Sequence, residues 1–399
     1  MAENKQNKRP NVPPLRFPEF TEPWEQHLTT DYFEFKNGLN PDVKRFGTGV
    51  KFISVMDILN NRYISYDRII SSVEPKGDDL KDFGVNYGDI LFQRSSETLE
   101  DVGRANVYLD KRTAIFGGFV IRGKKIGNYD PLFFRYLLTC PTVRKRIIVK
   151  GAGAQHFNIG QDGLSKVHLS VPSEKEQKRI SNLLNLIDER IETQSKLIED
   201  LQQLKSALVE SLYCQHNPNC RIGDLVVQIS KRNRGDNDYS VLSVNNRLGF
   251  IEQSEQFEDR SVASDDTSNY KVVSRDDFAY NPARINVGSI ARLTSFESGI
   301  VSPMYICFHT KKQILPQYLE HFFDTRYFYY EMQKRLEGSV RLCLSWEGLC
   351  NIPIAVPPIE RQEKVGKRIS LLADKISLEE RHLDLIKSQK QYLLQAMFI

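Results

Sequence analysis

Two short stretches of this 399-residue chain carry fragments of catalytic signatures. NPAR (281–284) shares Asn-Pro with the Asn/Asp-Pro-Pro-aromatic motif of amino-methyltransferases. It lacks the second Pro and the aromatic ring that would stack a base, so group transfer is not expected from it. GAGAQH (151–156) holds two of the three glycines of a dinucleotide-binding turn, but no acidic ribose partner follows in a βαβ unit. No G-x-x-x-x-G-K-[ST] is present, so ATP use would lie in another chain. The seven histidines include no i, i+4 pair of metal-ligand type. Cys140, Cys214, Cys220, Cys307, Cys343 and Cys350 form no C-x-x-C, which argues against a zinc site.

Recognition chemistry is better represented. Arg, Asn, Gln and Ser on exposed loops read base edges, while Lys, Arg and backbone amides meet phosphates. QRSSETLEDVGR (93–104) offers Gln93, Arg94, Ser95 and Arg104. GAGAQHFN (151–158) offers Gln155, His156 and Asn158. SKRNRGDN (230–237) is a basic loop with Lys231, Arg232 and Arg234. Asn281, Arg284, Asn286 and Arg341 complete the candidate DNA-binding set. Lys124, Lys125, Arg144, Lys145 and Arg146 are candidates for phosphate contact. Each of these alone is equally readable as a solvated surface residue; the set carries more weight than any member.

Those loops need a scaffold, and the composition allows one. Hydrophobic content of 40% and charged content of 27% describe an ordinary globular chain, long enough for two or three domains. A formal net charge of +4 does not by itself require a nucleic-acid partner, but local basic faces remain compatible with one. No apolar run reaches the roughly 18 residues of a membrane span. MAENKQNKRP (1–10) is polar and basic with no apolar core, so no export signal is expected. The expectation is a disordered basic tail over residues 1–24, a cytoplasmic chain and reduced thiols.

The scaffold is a repeat. Sliding the chain by 185 residues superposes Gly103 on Gly288, Ile115 on Ile300, Pro131 on Pro316 and Gly153 on Gly338. DGLSKVHLSVP (162–172) falls on EGLCNIPIAVP (347–357), and the register holds without a gap from about Gly103 to about Leu212. GAGAQH then falls on EGSVRL (337–342), which favours a loop in both copies over a cofactor turn. GDILFQR, ANVYLD and TAIFGGFVIRG read as short strands. PLFFRYLLTCPTVRKRIIV (131–149) reads as a helix that starts at Pro131 and breaks at Pro141. Two tandem mixed α/β (α+β) domains follow.

Each domain leads into a long helix. VPSEKEQKRI (171–180) and VPPIERQEKV (356–365) both carry a Gln five residues after the first Pro. Ser173 and Glu176 fit a capping box in the first copy. A 4-3 spacing follows through Ile180, Leu184, Ile187, Ile191, Ile198, Leu201, Leu208 and Leu212, and again through Val365, Ile369, Leu372, Ile376, Leu383, Ile386, Leu393 and Met397. That is a coiled-coil seam. It is interrupted at matched places, by Gln194 and Lys205 in the first helix and by Glu379 and Lys390 in the second. Antiparallel pairing with facing numbers summing to 584 sets Lys205 against Glu379 and Gln194 against Lys390, which would fix the register. A helix of about 40 residues spans about 60 Å at 1.5 Å per residue. Two similar domains spaced by such a pair suit a separated, nearly symmetric ligand such as duplex DNA.

At this point the chain resembles the specificity subunits of type I restriction-modification systems. The resemblance rests on Trp24-Glu25, YGDILFQRSS (87–96), VGRANVYL (102–109), FGGFVIR (116–122), VPSEKEQKRI (171–180) and the duplicated domain-plus-helix layout. It covers nearly the whole chain, although DDFAYNPARINVGSIARL (276–293) departs from the family's wording. The resemblance implies a pseudo-two-fold arrangement: tail 1–24, target recognition domain 25–172, spacer helix 173–215, second recognition domain 216–356 and spacer helix 357–399. It implies a non-catalytic subunit of an adenine-N6 methyltransferase and endonuclease complex. Each domain would read half of a bipartite site, and the helices would set the spacer and dock two methyltransferase subunits. Two restriction subunits would join for cleavage. No cofactor is expected on this chain; the partners would use S-adenosylmethionine, ATP and Mg. The alternatives are the recognition subunit of a type II-like restriction enzyme and a coiled-coil adaptor between proteins.

Overall fold

A computed structural model describes residues 11–153, 155–213, 217–234, 239–246, 248–253, 267–339 and 341–399. The chain divides into two compact units, Met1–Ser195 with Arg381–Ile399, and Lys196–Glu380. Each holds one mixed α/β globular part and a segment of each of two long helices, the central helix Glu174–Tyr213 and the C-terminal helix Ile359–Ala396. Among the described residues no helix is long and apolar enough to cross a membrane.

In the first unit the run ILFQ forms the strand Ile90–Gln93, buried at all four positions. It lies inside an antiparallel sheet ordered Phe33–Asn37, Val120–Lys125, Ile90–Gln93, Ala105–Val107. A second sheet runs Ser72–Val73, Phe46–Ile53, Ala114–Phe116, Gly84–Val85, with Phe52 parallel to Ile115. The second unit repeats both orders. One sheet is Val226–Ile229, Ile306–Thr310, Phe278–Tyr280, Ile290–Arg292. The other is Gly249–Glu252, Val241–Asn245, Ser298–Val301, Lys271–Ser274, with Val241 parallel to Ile300. The shift of 185 carries Ile115 onto Ile300, and a slightly larger one, 189, carries Phe52 onto Val241, so one parallel pairing matches the other. The helices Pro131–Thr139 and Pro141–Ile148 are separate, as the second proline requires: Cys140 is extended at ψ 149 because the following ring disfavours helical backbone there.

The repeated glutamine ties each long helix to its globular part. Gln177 is buried; its amide donates to the Pro172 carbonyl at 2.9 Å and its oxygen accepts from the Asp130 N–H at 2.9 Å. Gln362 repeats this with Pro357 at 2.8 Å and Leu315 at 2.8 Å, and adds the Gln313 carbonyl at 3.0 Å. A buried amide bonded to backbone on both sides is specific, because an apolar substitute would leave those backbone groups without partners.

Two expectations are corrected. Residues 1–10 lie outside the described residues, but 11–24 are packed rather than a loose tail. Trp24 is buried, Leu15 N–H donates to the Ala396 carbonyl at 2.9 Å, and Arg16 grips Glu176 with two bonds of 2.7 Å. That grip also removes the capping box: Glu176, joined by the Trp24 indole N–H at 3.3 Å, binds outward instead of closing on Ser173. All twenty predicted seam positions are buried or half-buried, and Lys390 also reaches Asp188, outside the seam, at 2.6 Å. In the second unit the Lys205 charge acts on Glu320 and Asp324, and Glu379 pairs with Lys375. Within the first unit's core Ile180 and Leu184 share a cluster with Leu393 and Met397. Within the second, Leu208 and Leu212 share one with Val365 and Ile369. Long lysine side chains leave the seam to find carboxylates beside it, so the polar residues need not face one another. In the register summing to 584, cysteines replacing Gln194 and Lys390 should cross-link readily under mild oxidation, and cysteines at 194 and 383 poorly.

Candidate nucleic-acid interface

In the first unit two loops distant in sequence meet on a short ribbon. Ser95–Ser96 pairs with Phe157–Asn158, the Ser95 hydroxyl donates to the Asn158 side chain, and Ile159 N–H donates to the Arg94 carbonyl at 2.9 Å. Gly153 makes the turn: its φ is 146, and a Cβ there would stand 2.0 Å from the His156 carbonyl oxygen. Gln155 and His156 are thereby held out into solvent. The second unit closes the matching loop as a local hairpin, the counterpart of the Ala152–Asn158 bridge in the first. Leu336–Glu337 pairs with Cys343–Leu344, Leu344 N–H donates to the Pro282 carbonyl at 3.0 Å, and Gly338 turns at φ 118. Arg341 stands exposed where His156 does in the first copy.

The candidates separate into presented groups and structural ones. Gln93 is buried, and its amide donates to the Ser95 carbonyl at 2.9 Å. Asn281 is buried, and its side chain accepts from Ala283 N–H at 3.0 Å. Both shape their loops and do not present a reading edge. Arg94 is half-buried against the Gly118 carbonyl at 3.3 Å. Arg104 is exposed beside Asp101 at 2.6 Å. Arg144 holds the loop from below, donating to the carbonyls of Glu100 at 2.7 Å and Val102 at 2.9 Å. Burial and the nearby Arg104 charge push its pKa down to about 10. Lys125 folds back on the Tyr129 carbonyl at 3.0 Å, Arg146 on that of His168 at 2.9 Å, and Lys124 faces Glu34 at 4.0 Å, whereas Lys145 is exposed. In the second unit Arg284 is exposed and Asn286 half-buried.

In the basic loop Lys231, Arg232 and Arg234 are all exposed. Lys231, Arg232 and Arg234 line a cavity of about 880 Å³ with Tyr239 and Asn269, and among its described lining residues there is no carboxylate. Arg232 is steadied by the Asn269 side chain at 2.6 Å. Residues 235–237 of that loop, like Cys214, lie outside the described residues. Sequence reasoning missed Tyr239 and Asn269. Tyr239 closes the basic run and could have been noticed as an aromatic among cations; Asn269 is far from the run in sequence and meets it through Arg232.

A second surface runs along the helices. Leu371, Leu378, Leu385 and Tyr392 recur every seven residues on the C-terminal helix and are 61%, 54%, 69% and 61% exposed. Leu186, Leu197 and Leu204 are exposed on the central helix.

Residues 21–203 match the type I restriction modification DNA specificity domain. Over 98% of its length the chain is 22% identical to the proposed specificity subunit of the type I restriction enzyme MjaX of Methanocaldococcus jannaschii, covering 96% of that protein. It is 25% identical over 173 residues, 42% of this chain and 36% of the relative, to the HindI specificity subunit of Haemophilus influenzae. In fold it is similar to the S subunit of a type I restriction-modification system from M. genitalium, at a TM-score of 0.56 and 16% identity, covering 97% of this chain and 99% of that one. A chain from a structural study of type I restriction-modification complex assembly and conformational transition gives a TM-score of 0.58 at 11% identity, covering 93% and 96%.

Proposed function

We propose that this chain, which belongs to the family of type I restriction-modification specificity subunits, reads a bipartite duplex site, one half with each globular part. The observation that carries the reading is the repeated glycine-turned loop, with Gln155 and His156 presented in one copy and Arg341 in the other. The cavity at Lys231, Arg232 and Arg234 supplies phosphate contact, which gives affinity without sequence information. The long helices set the number of base pairs between the halves. They also dock two methyltransferase subunits, for which the exposed heptad stripe offers an apolar face. The chemistry is adenine-N6 methylation, with cleavage when two restriction subunits join, and it belongs to those partners, which bring S-adenosylmethionine, ATP and Mg. The role calls for a cytoplasmic chain.

Salt dependence tests it. In the complex with its methyltransferase subunits, changing Lys231, Arg232 and Arg234 together to Ala should lower the slope of log affinity against log salt by about 2.7, at about 0.9 per lost phosphate contact. Preference among duplexes should stay as it was. A wild-type complex with no salt-dependent binding to any duplex would point to a protein adaptor instead.

A further inference from the structure

Asp188, on the central helix, is 6% exposed. Its carboxylate gathers donors from three parts of the first unit. Lys390 Nζ, from the C-terminal helix, lies 2.6 Å away. The Tyr136 hydroxyl and Arg135 Nη1, from the helix Pro131–Thr139, lie at 2.7 Å and 3.3 Å. Arg62 Nε, just beyond the helix Val55–Asn60, lies at 4.0 Å. Arg62 continues along the central helix to the Asn185 carbonyl at 3.1 Å, Glu189 at 3.2 Å and Glu192 at 3.5 Å. Burial works against the ionised carboxylate, and Lys390 and Arg135 outweigh it, holding the group below its ordinary pKa. A single buried anion thus joins the globular part to both helices.

The second copy lacks this junction. The shift of 185 carries Asp188 to Ala373, Arg135 to Glu320 and Tyr136 to His321. There the charge of Lys205, the counterpart of Lys390, acts on carboxylates of the globular part, Glu320 and Asp324. The helix itself contributes no acid at the matching place.

We infer that Asp188 is a positioning residue that fixes the angle at which the first recognition domain is carried on the helices, and through it the spacer length accepted between the two half-sites. The inference rests on the bipartite reading above. Its physical basis is charge balance. Without the carboxylate, Arg62, Arg135 and Lys390 form a cluster of like charges, which is relieved by moving the globular part against the helices. One base pair is a step of about 3.4 Å, so a small rotation at this junction suffices to bring a displaced half-site into reach.

The test uses the complex with its methyltransferase subunits, acting on its mapped target and on duplexes with the spacer one base pair longer or shorter. Asp188→Asn should improve methylation of the shifted spacers about tenfold relative to the preferred one, the effect of a difference of about 1.4 kcal/mol, with both half-site sequences unchanged. Asp188→Glu, which keeps the charge, should retain most of the discrimination. Should Asp188→Asn melt too early to assay, Asp188→Ser, which removes the same charge, must show the same loosening. Wild-type spacer discrimination in a folded Asp188→Asn complex overturns the inference and leaves the bipartite reading intact, and so does an altered half-site sequence. A wild-type complex that methylates a continuous site removes both.

Discussion

Replacing residues 1–172 with the matching part of a relative changes one half of the methylated site and leaves the other half as it was. The expectation is all-or-none because the two ribbons are built from separate stretches of chain. Ser95, Gln155, His156 and Asn158 all fall inside the exchanged segment, and Arg284 and Arg341 outside it. The graft must bring its own Trp24 and Arg16 to meet Glu176, and a helix equivalent to Pro131–Thr139 to meet Gln177 and Asp188. Methylation mapping reads the outcome directly. A change in both halves would mean that the parts do not read independently.

The second large effect concerns assembly. Leu385 and Tyr392 are exposed and lie outside the seam, so changing both to Glu should leave the melting of the isolated chain nearly unaltered. The same pair should cripple association with the methyltransferase. Burying a large apolar side chain contributes about 1.5–3 kcal/mol, so losing two costs about 3–6 kcal/mol, or roughly two to four orders of magnitude in affinity. Introduced charge at a desolvated contact adds to that loss. Titration calorimetry against the purified partner measures it, and wild-type affinity would move the docking face elsewhere on the chain.

Much of the fold was legible because repetition multiplies weak signals. One Gly at a turn means little, but Gly153 and Gly338 at a constant offset both prove to need a positive φ. The broken helix at Pro141 followed from backbone sterics alone. The partners of the seam's lysines were less legible. A heptad pattern shows which residues enter the seam, not where a flexible lysine sends its charge, and Asp188 comes from outside the seam set. Glu176 misled for a related reason: a capping box is a local pattern, and Arg16, 160 residues away, competes for the same carboxylate. In the candidate interface, polarity identified the loops but not their presented members. Gln93 and Asn281 face inward to complete backbone hydrogen bonds, a role that residue type alone does not distinguish from base reading.

The junction of the N-terminal strap with the last helical turn also bears on how the protein is made. Met397 and Phe398 lie in the first unit's core, where the Phe398 ring stacks on Phe133 at 5.5 Å. A ribosome must therefore synthesise the whole of the second unit before the residues that finish the first one emerge, a wait on the order of tens of seconds at ordinary elongation rates. Throughout that interval the nascent amino-terminal half carries an open apolar slot.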